Sequence, residues 1–171
     1  MVGLIYLKNA DVSMTDRNSW AYWYDVINEK ERNDYGFYNR YLNKDELALE
    51  VACGTGRIYL DMIEDGYEVH GLDISENMLA KLNQKADERG LDTEKLFHGD
   101  ISSVDLDYNY DLVYYPFNSI AHINGDVNEQ VSAFENIHSH LAEDGLFVFD
   151  IYVIDFDAVS DYGDLKSKTF D

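Results

Sequence analysis

Cysteine, positive charge and long apolar runs are all scarce in this chain of 171 residues, and each shortage closes off a class of protein. Cys53 is the only cysteine, so no internal disulfide can staple the fold, which fits a reducing cytoplasm. Lysine and arginine together number 13 against 34 aspartates and glutamates, a formal net charge of −21. A field of that sign repels phosphate backbones and anionic headgroups, so neither nucleic acid nor a membrane surface is an expected partner. No apolar stretch approaches the roughly 18 residues that a membrane span requires. Met1 to Leu7 is apolar, but it is too short for a signal sequence and no basic residues precede it. Zinc-type spacing of Cys and His, a G-x-S-x-G turn and a Walker sequence are also missing, so no metal site is expected.

What is present is a globular composition, 46% hydrophobic and 14% aromatic. A chain of this length forms one domain and buries about 70% of its unfolded surface. The acids are spread along the whole chain instead of forming a tail. Such an excess points to adaptation to concentrated salt, where the screening length falls to about 3 Å. A merely acidic soluble protein is the alternative. The expected layout is an N-terminal extension over 1–18 (with Met14 as an alternative start), one domain over 19–155, and an acidic tail or the start of a further region over 156–171.

The organising stretch is Leu47 to Arg57. Leu47 to Val51, interrupted only by Glu50, reads as a buried parallel strand. Gly54 and Gly56 make a tight turn before a helix over Arg57 to Asp65, an arrangement that aims backbone N–H groups at a ligand. Two nucleotide-binding patterns compete for this turn. A dinucleotide fingerprint needs a third glycine, where this chain has Tyr59, whose bulk opposes the close helix–strand packing that glycine permits. The other pattern, acidic-x-small-x-Gly-x-Gly, is met by Glu50, Ala52, Gly54 and Gly56.

Upstream, Ser19 caps a helix with Trp20, Trp23, Tyr24 and Ile27 at helical spacing, broken near Asn33 to Gly36 and followed by a short helix over Phe37 to Leu42. Downstream, Tyr67 to Asp73 is the second strand, and Asp73 stands 19 residues after Gly54, near the spacing at which a carboxylate meets ribose hydroxyls. Ser75 to Arg89 is an amphipathic helix ended by Gly90, with Met78 in its first turn. Glu94 to Phe97 is the third strand, followed by Gly99-Asp100-Ile101. Tyr110 to Tyr115 is the fourth, and the loop from Pro116 to Ile123 opens where an open α/β sheet binds ligands. Asp126 to Leu141 is a helix, Gly145 marks its end region, and Leu146 to Val153 is the fifth strand.

In combination, the Glu50 to Arg57 turn, Asp73, Gly99-Asp100-Ile101 and the Asn118-Ser119 loop resemble the class I S-adenosylmethionine (SAM)-dependent methyltransferases. Gly66-Tyr67-Glu68-Val69-x-Gly71-Leu72-Asp73-x-Ser75 and Met78-Leu79 resemble the small-molecule branch of that family. The resemblance spans roughly residues 20 to 155. It implies an α/β, Rossmann-like, doubly wound parallel sheet in the order 3-2-1-4-5, with N-terminal helices. It also implies SAM as cofactor and a small-molecule acceptor. By position, Glu50, Ala52, Gly54 and Gly56 hold the methionine part, and Asp73 takes the ribose. Ile74 and Met78 flank adenine, Asp100 and Ile101 close its other side, and Tyr115 and Phe117 line the methyl-transfer end. Tyr24 is either core or part of a lid over the cofactor. His122, after the fourth strand, is the nearest candidate general base, although the transfer needs none and a structural histidine is the competing reading. The family's sheet normally continues into a C-terminal hairpin, which this sequence lacks. The fifth strand is therefore expected to be an edge, covered first of all by a second copy in a homodimer. The competing classes are a non-catalytic SAM-binding module and an NAD-dependent oxidoreductase.

Overall fold

The computed structural model describes Ala21, Tyr24, Asp25 and residues 34–123 and 127–152. The expectations for 1–18 and 156–171, the Met14 start and most of the first helix lie outside these residues. The described chain runs α1 (Tyr35–Tyr38), a 3₁₀ turn (Asn39–Tyr41), β1 (Leu47–Val51), α2 (Tyr59–Glu64), β2 (Glu68–Asp73) and α3 (Glu76–Arg89). It continues through β3 (Leu96–His98), β4 (Tyr110–Tyr115), a 3₁₀ turn (Ser119–His122), α4 (Val127–Ser139) and β5 (Leu141–Phe149). The five strands form one sheet in the order β3-β2-β1-β4-β5, all paired parallel, as the resemblance implies.

Apolar residues alternate to the two faces of the central strands, and each face carries its own core. Ala48, Leu112 and Tyr114 pack with Tyr38, Leu60, Met62 and Leu82 on one side, while Leu49, Val51, Val113 and Tyr115 pack with Ile101, Ala133 and Ile137 on the other. The register pairs Leu49 with His70 on β2 and with Val113 on β4, so the carboxyl ends of β1, β2 and β4 finish close together. Local chemistry fixes the helix ends. Ser75 Oγ accepts the Met78 N–H at 3.4 Å, and Gly90 closes α3 at φ 69° with its N–H on the last carbonyls.

Several boundaries differ from those expected. The short helix α1 starts at Tyr35, two residues before the expected Phe37, because the Phe37 and Tyr38 N–H groups both bond to Asp34 O. Residues 56–58 form turns, so α2 starts at Tyr59, two residues late. β3 starts at Leu96, after a turn in which its N–H bonds to Thr93 O. The largest difference is β5, which begins at Leu141 instead of Leu146 and ends at Phe149. Tyr110 already pairs with Leu141, and an irregularity then precedes the Leu112–Leu146 pair. Gly145 belongs to this irregularity and not to a helix end. A Cβ there would lie 2.6 Å from Tyr110 O, so only glycine lets the bulged strand return to β4.

Candidate functional site

The turn after β1 takes a left-handed backbone at three residues, two of them glycines. Ala52, Gly54 and Gly56 have φ of 55°, 57° and 79°. At Gly56 a Cβ would also meet Leu82 Cγ at 2.7 Å and Leu60 Cγ at 2.9 Å, so the turn packs backbone directly onto α2 and α3. The expectation that the turn's N–H groups face a ligand does not hold for the two glycines. Gly56 donates to Cys53 O at 2.9 Å, and Gly54 donates to Asp73 Oδ2 at 2.8 Å because β2 ends beside the turn. Tyr59 is fully buried where the dinucleotide pattern has its third glycine, with its ring close to Gly71.

Asp73 is thereby held from both sides, since its Oδ1 accepts the Ser75 N–H at 2.8 Å. Burial raises its carboxyl above the usual range, and the two N–H groups oppose that rise. A carboxylate has about four acceptor positions, so two remain for another donor. Across from it, Asp100 Oδ1 accepts the N–H and the hydroxyl of Ser102, both at 2.8 Å. The Asp100–Val104 segment is pinned by α4, whose Asn136 donates to Ile101 O at 2.9 Å and to Val104 O at 2.8 Å.

Between these elements lies a groove with about 580 Å³ of empty space, partly open to solvent, at the carboxyl ends of β1, β2 and β4. Ala52, Asp73, Ile74, Asp100, Ile101, Tyr115 and His122 line it, and so do Val51, Leu72, Gly99, Ser102, Ile123 and Glu129. Seven of the candidate residues are therefore brought together. Val51 and Leu72 were hidden in sequence as ordinary core apolar residues one position before a candidate. Glu129 sits in the first turn of α4 and had no signal at all.

Tyr24, Glu50, Gly54, Gly56, Met78 and Phe117 do not line the groove. The Met78 N–H is capped by Ser75 Oγ in the first turn of α3. Glu50 is 2% exposed, and its Oε2 accepts the Tyr114 hydroxyl at 2.8 Å. Burial pushes its carboxyl up to about 8, against the pull of Tyr114 and Arg57. Phe117 sits in a second cluster at the turn end. The Arg57 guanidinium lies 4.8 Å from its ring centroid and pairs with Asp34 at 2.6 Å. Tyr24 meets Phe117 edge-on at 6.3 Å and hydrogen-bonds to Arg57. Thr55 Oγ1 donates to Asp25 Oδ1 at 2.5 Å, and Asp25 also pairs with Lys85 at 3.1 Å, tying the N-terminal segment onto the glycine turn. Among the described residues, no cluster of His, Cys, Asp and Glu could hold a metal ion, and no helix is long and apolar enough to cross a membrane.

Comparison with known proteins returns a consistent set. A family model described as a methyltransferase domain matches residues 48–145. A dTDP-3-amino-3,6-dideoxy-alpha-D-glucopyranose N,N-dimethyltransferase of Streptomyces fradiae is 29% identical over 136 residues, covering 74% of this chain and 51% of its own. A demethylmenaquinone methyltransferase of Geobacillus kaustophilus (strain HTA426) is 40% identical over 77 residues, 42% of this chain and 32% of its own. The crystal structure of an S-adenosylmethionine-dependent methyltransferase from Clostridium acetobutylicum ATCC 824 matches with a TM-score of 0.64 at 26% identity, covering 78% of this chain and 56% of that one. The chain spans about half the length of the curated relatives it matches.

Proposed function

The chain belongs to the class I SAM-dependent methyltransferase family, and from that premise we propose that it binds SAM and transfers its methyl group to a small-molecule acceptor. The observation that carries this reading is the groove itself. Its floor is Asp73 with two open acceptor positions, its sides are the apolar Ile74, Ile101 and Tyr115, and it opens beside the glycine turn. That lining suits a ribose whose two hydroxyls donate to the carboxylate and a flat base between aliphatic side chains. Ile74, 64% exposed, offers apolar surface for such a base to cover. Glu50, Gly54 and Gly56 act from behind the turn, setting its shape.

When bound, the cofactor supplies a methyl group already activated on a sulfonium. The chain's own residues then have to orient donor and acceptor and exclude water. Asp73 orients the ribose, Tyr115 and Phe117 bound the transfer end, and His122 on the groove wall is placed to receive a proton from an acceptor that has one to lose. The names of the relatives, an amino sugar N,N-dimethyltransferase and a demethylmenaquinone methyltransferase, support small molecules as the acceptor class. Buried Tyr59 favours this reading over an NAD-dependent oxidoreductase, because it fills the space the dinucleotide pattern leaves empty. A non-catalytic SAM-binding module would share the groove and differ only in lacking turnover. The test is a melting series with S-adenosylhomocysteine (SAH). A dose-dependent rise in Tm is expected, and no rise at millimolar ligand would contradict the proposal.

Two further readings rest on composition and exposure. The acid excess fits a cytoplasm at high salt, so Tm should climb as sodium chloride rises from about 0.1 M into the molar range; a flat or falling Tm would end that reading. Among the described residues β5 is an edge strand, with Leu146 and Phe149 49% and 41% exposed, which supports self-association through that edge. Light scattering in high salt should then report a dimer, and a clean monomer would reject it.

A further inference from the structure

Phe117 and Asn118 are consecutive and both left-handed, with φ of 62° and 54°. Side-chain-bearing residues persist in that conformation only where the surroundings over-determine it, and such places gather at functional sites. What determines it here is Asp150, the first residue after β5. Its Oδ1 accepts the Phe117 N–H at 2.6 Å and its Oδ2 accepts the Asn118 N–H at 2.8 Å. The Tyr38 hydroxyl donates to the same carboxylate. The two successive N–H groups of this turn point to one side, and a carboxylate reaching over from the last strand accepts from both. The crossing is doubled by the Tyr152 N–H, which donates to Asn118 Oδ1 at 3.0 Å.

The consequence is carried by the Phe117 ring. With its backbone fixed, the ring stands between the Arg57 guanidinium and the edge-on ring of Tyr24, directly beside the glycine turn. The Asp150 carboxylate is engaged by the Phe117 and Asn118 N–H groups and by the Tyr38 hydroxyl, so it acts through the loop and not on a ligand. We propose that Asp150 is a positioning residue for methyl transfer, whose carboxylate sets Phe117 and Asn118 so that the Phe117 ring, beyond the groove lining and beside the glycine turn, bounds the transfer end of the donor where its amino-acid part extends. This rests on the reading of the groove as a SAM site and adds a residue that no groove contact identifies.

The test compares two ligands on the full chain by calorimetry: SAH, and adenosine, which has the base and ribose but no amino-acid part. Asp150→Ala should weaken SAH roughly tenfold, the scale of charge-assisted hydrogen bonds lost from a loop, and leave adenosine within about twofold. General structural damage would lower both together. Should Asp150→Ala fail to fold, Asp150→Asn carries the same test. Its amide keeps one acceptor oxygen but turns an NH₂ toward the second N–H, so a smaller drop in the same ratio is expected. A wild type that binds both ligands and a variant that keeps their ratio would overturn this assignment alone. A wild type that binds neither would overturn the donor reading, and the assignment with it.

Discussion

At one end of the groove, Asp73, Ile74 and Tyr115 stand on or directly beside strand ends, and Asp100 and Ile101 follow β3 within three residues. Outside the groove lining, beside the glycine turn, Tyr24, Asp34, Arg57, Phe117 and Asp150 come from five separate segments and meet through contacts of their side chains. The first end is positioned by the sheet, whose parallel ladder fixes strand ends with no help from the site itself. The second has to be assembled, through the Arg57–Asp34 pair and the Asp150 bonds to a loop in which Phe117 and Asn118 are both left-handed. A ligand that bridges the two therefore takes its orientation from the sheet and its closure from the assembled cluster.

That division can be broken most sharply at Gly56, where the two ends meet. Gly56→Ala places a Cβ on Leu82 and Leu60 at a left-handed φ, so strain and overpacking add. A loss of about 4 kcal/mol in urea unfolding is expected, and a loss below about 1 kcal/mol would show the turn to be adaptable.

Glu50, buried behind the turn, gives the next largest effect, and it depends on pH. Its carboxyl is held up to about 8 against 4.5 for a free group, so the folded chain keeps a proton that the unfolded chain releases above about 4.5. Stability from this site is complete below that pH and is lost as pH rises through 8. Glu50→Gln stays neutral throughout. It should gain on the wild type by about 3 kcal/mol at pH 7 and lose that advantage near pH 4. A difference that is flat with pH would contradict the burial argument.

Ligand binding then separates the two ends. Asp73→Ala should weaken adenosine and SAH alike, by about 2 kcal/mol, because both carry the ribose. Phe117→Ala should weaken SAH alone, by about 1 kcal/mol, the scale of one aromatic and one cation–π contact. Equal effects of Phe117→Ala on both ligands would erase the distinction between sheet-fixed and assembled halves.

The same distinction explains what could be read from sequence. Strand and helix positions from Leu47 to Tyr115 followed, to within about two residues, from short apolar runs, helical spacing and the ends marked by Ser75 and Gly90, because those signals are local. Asp73 was visible through its spacing from Gly54, and the 2.8 Å bond between them gives that spacing a physical basis. The start of β5 was not visible, since a bulge at Gly145 reads in sequence like a helix terminator. Asp150 was passed over because its partners lie 32 and 33 residues away, and a bond of that reach leaves no periodic trace. Asn136 escaped for the same reason, its two bonds spanning 35 and 32 residues to the loop it holds.

The central claim, that the groove is built for an adenosyl amino acid and not for a dinucleotide, is tested most directly by calorimetric competition between SAH and NAD on the wild-type chain. The account predicts that SAH binds with a stoichiometry of about one and that excess NAD leaves its isotherm unchanged. NAD binding more tightly than SAH, or displacing it, would contradict the account.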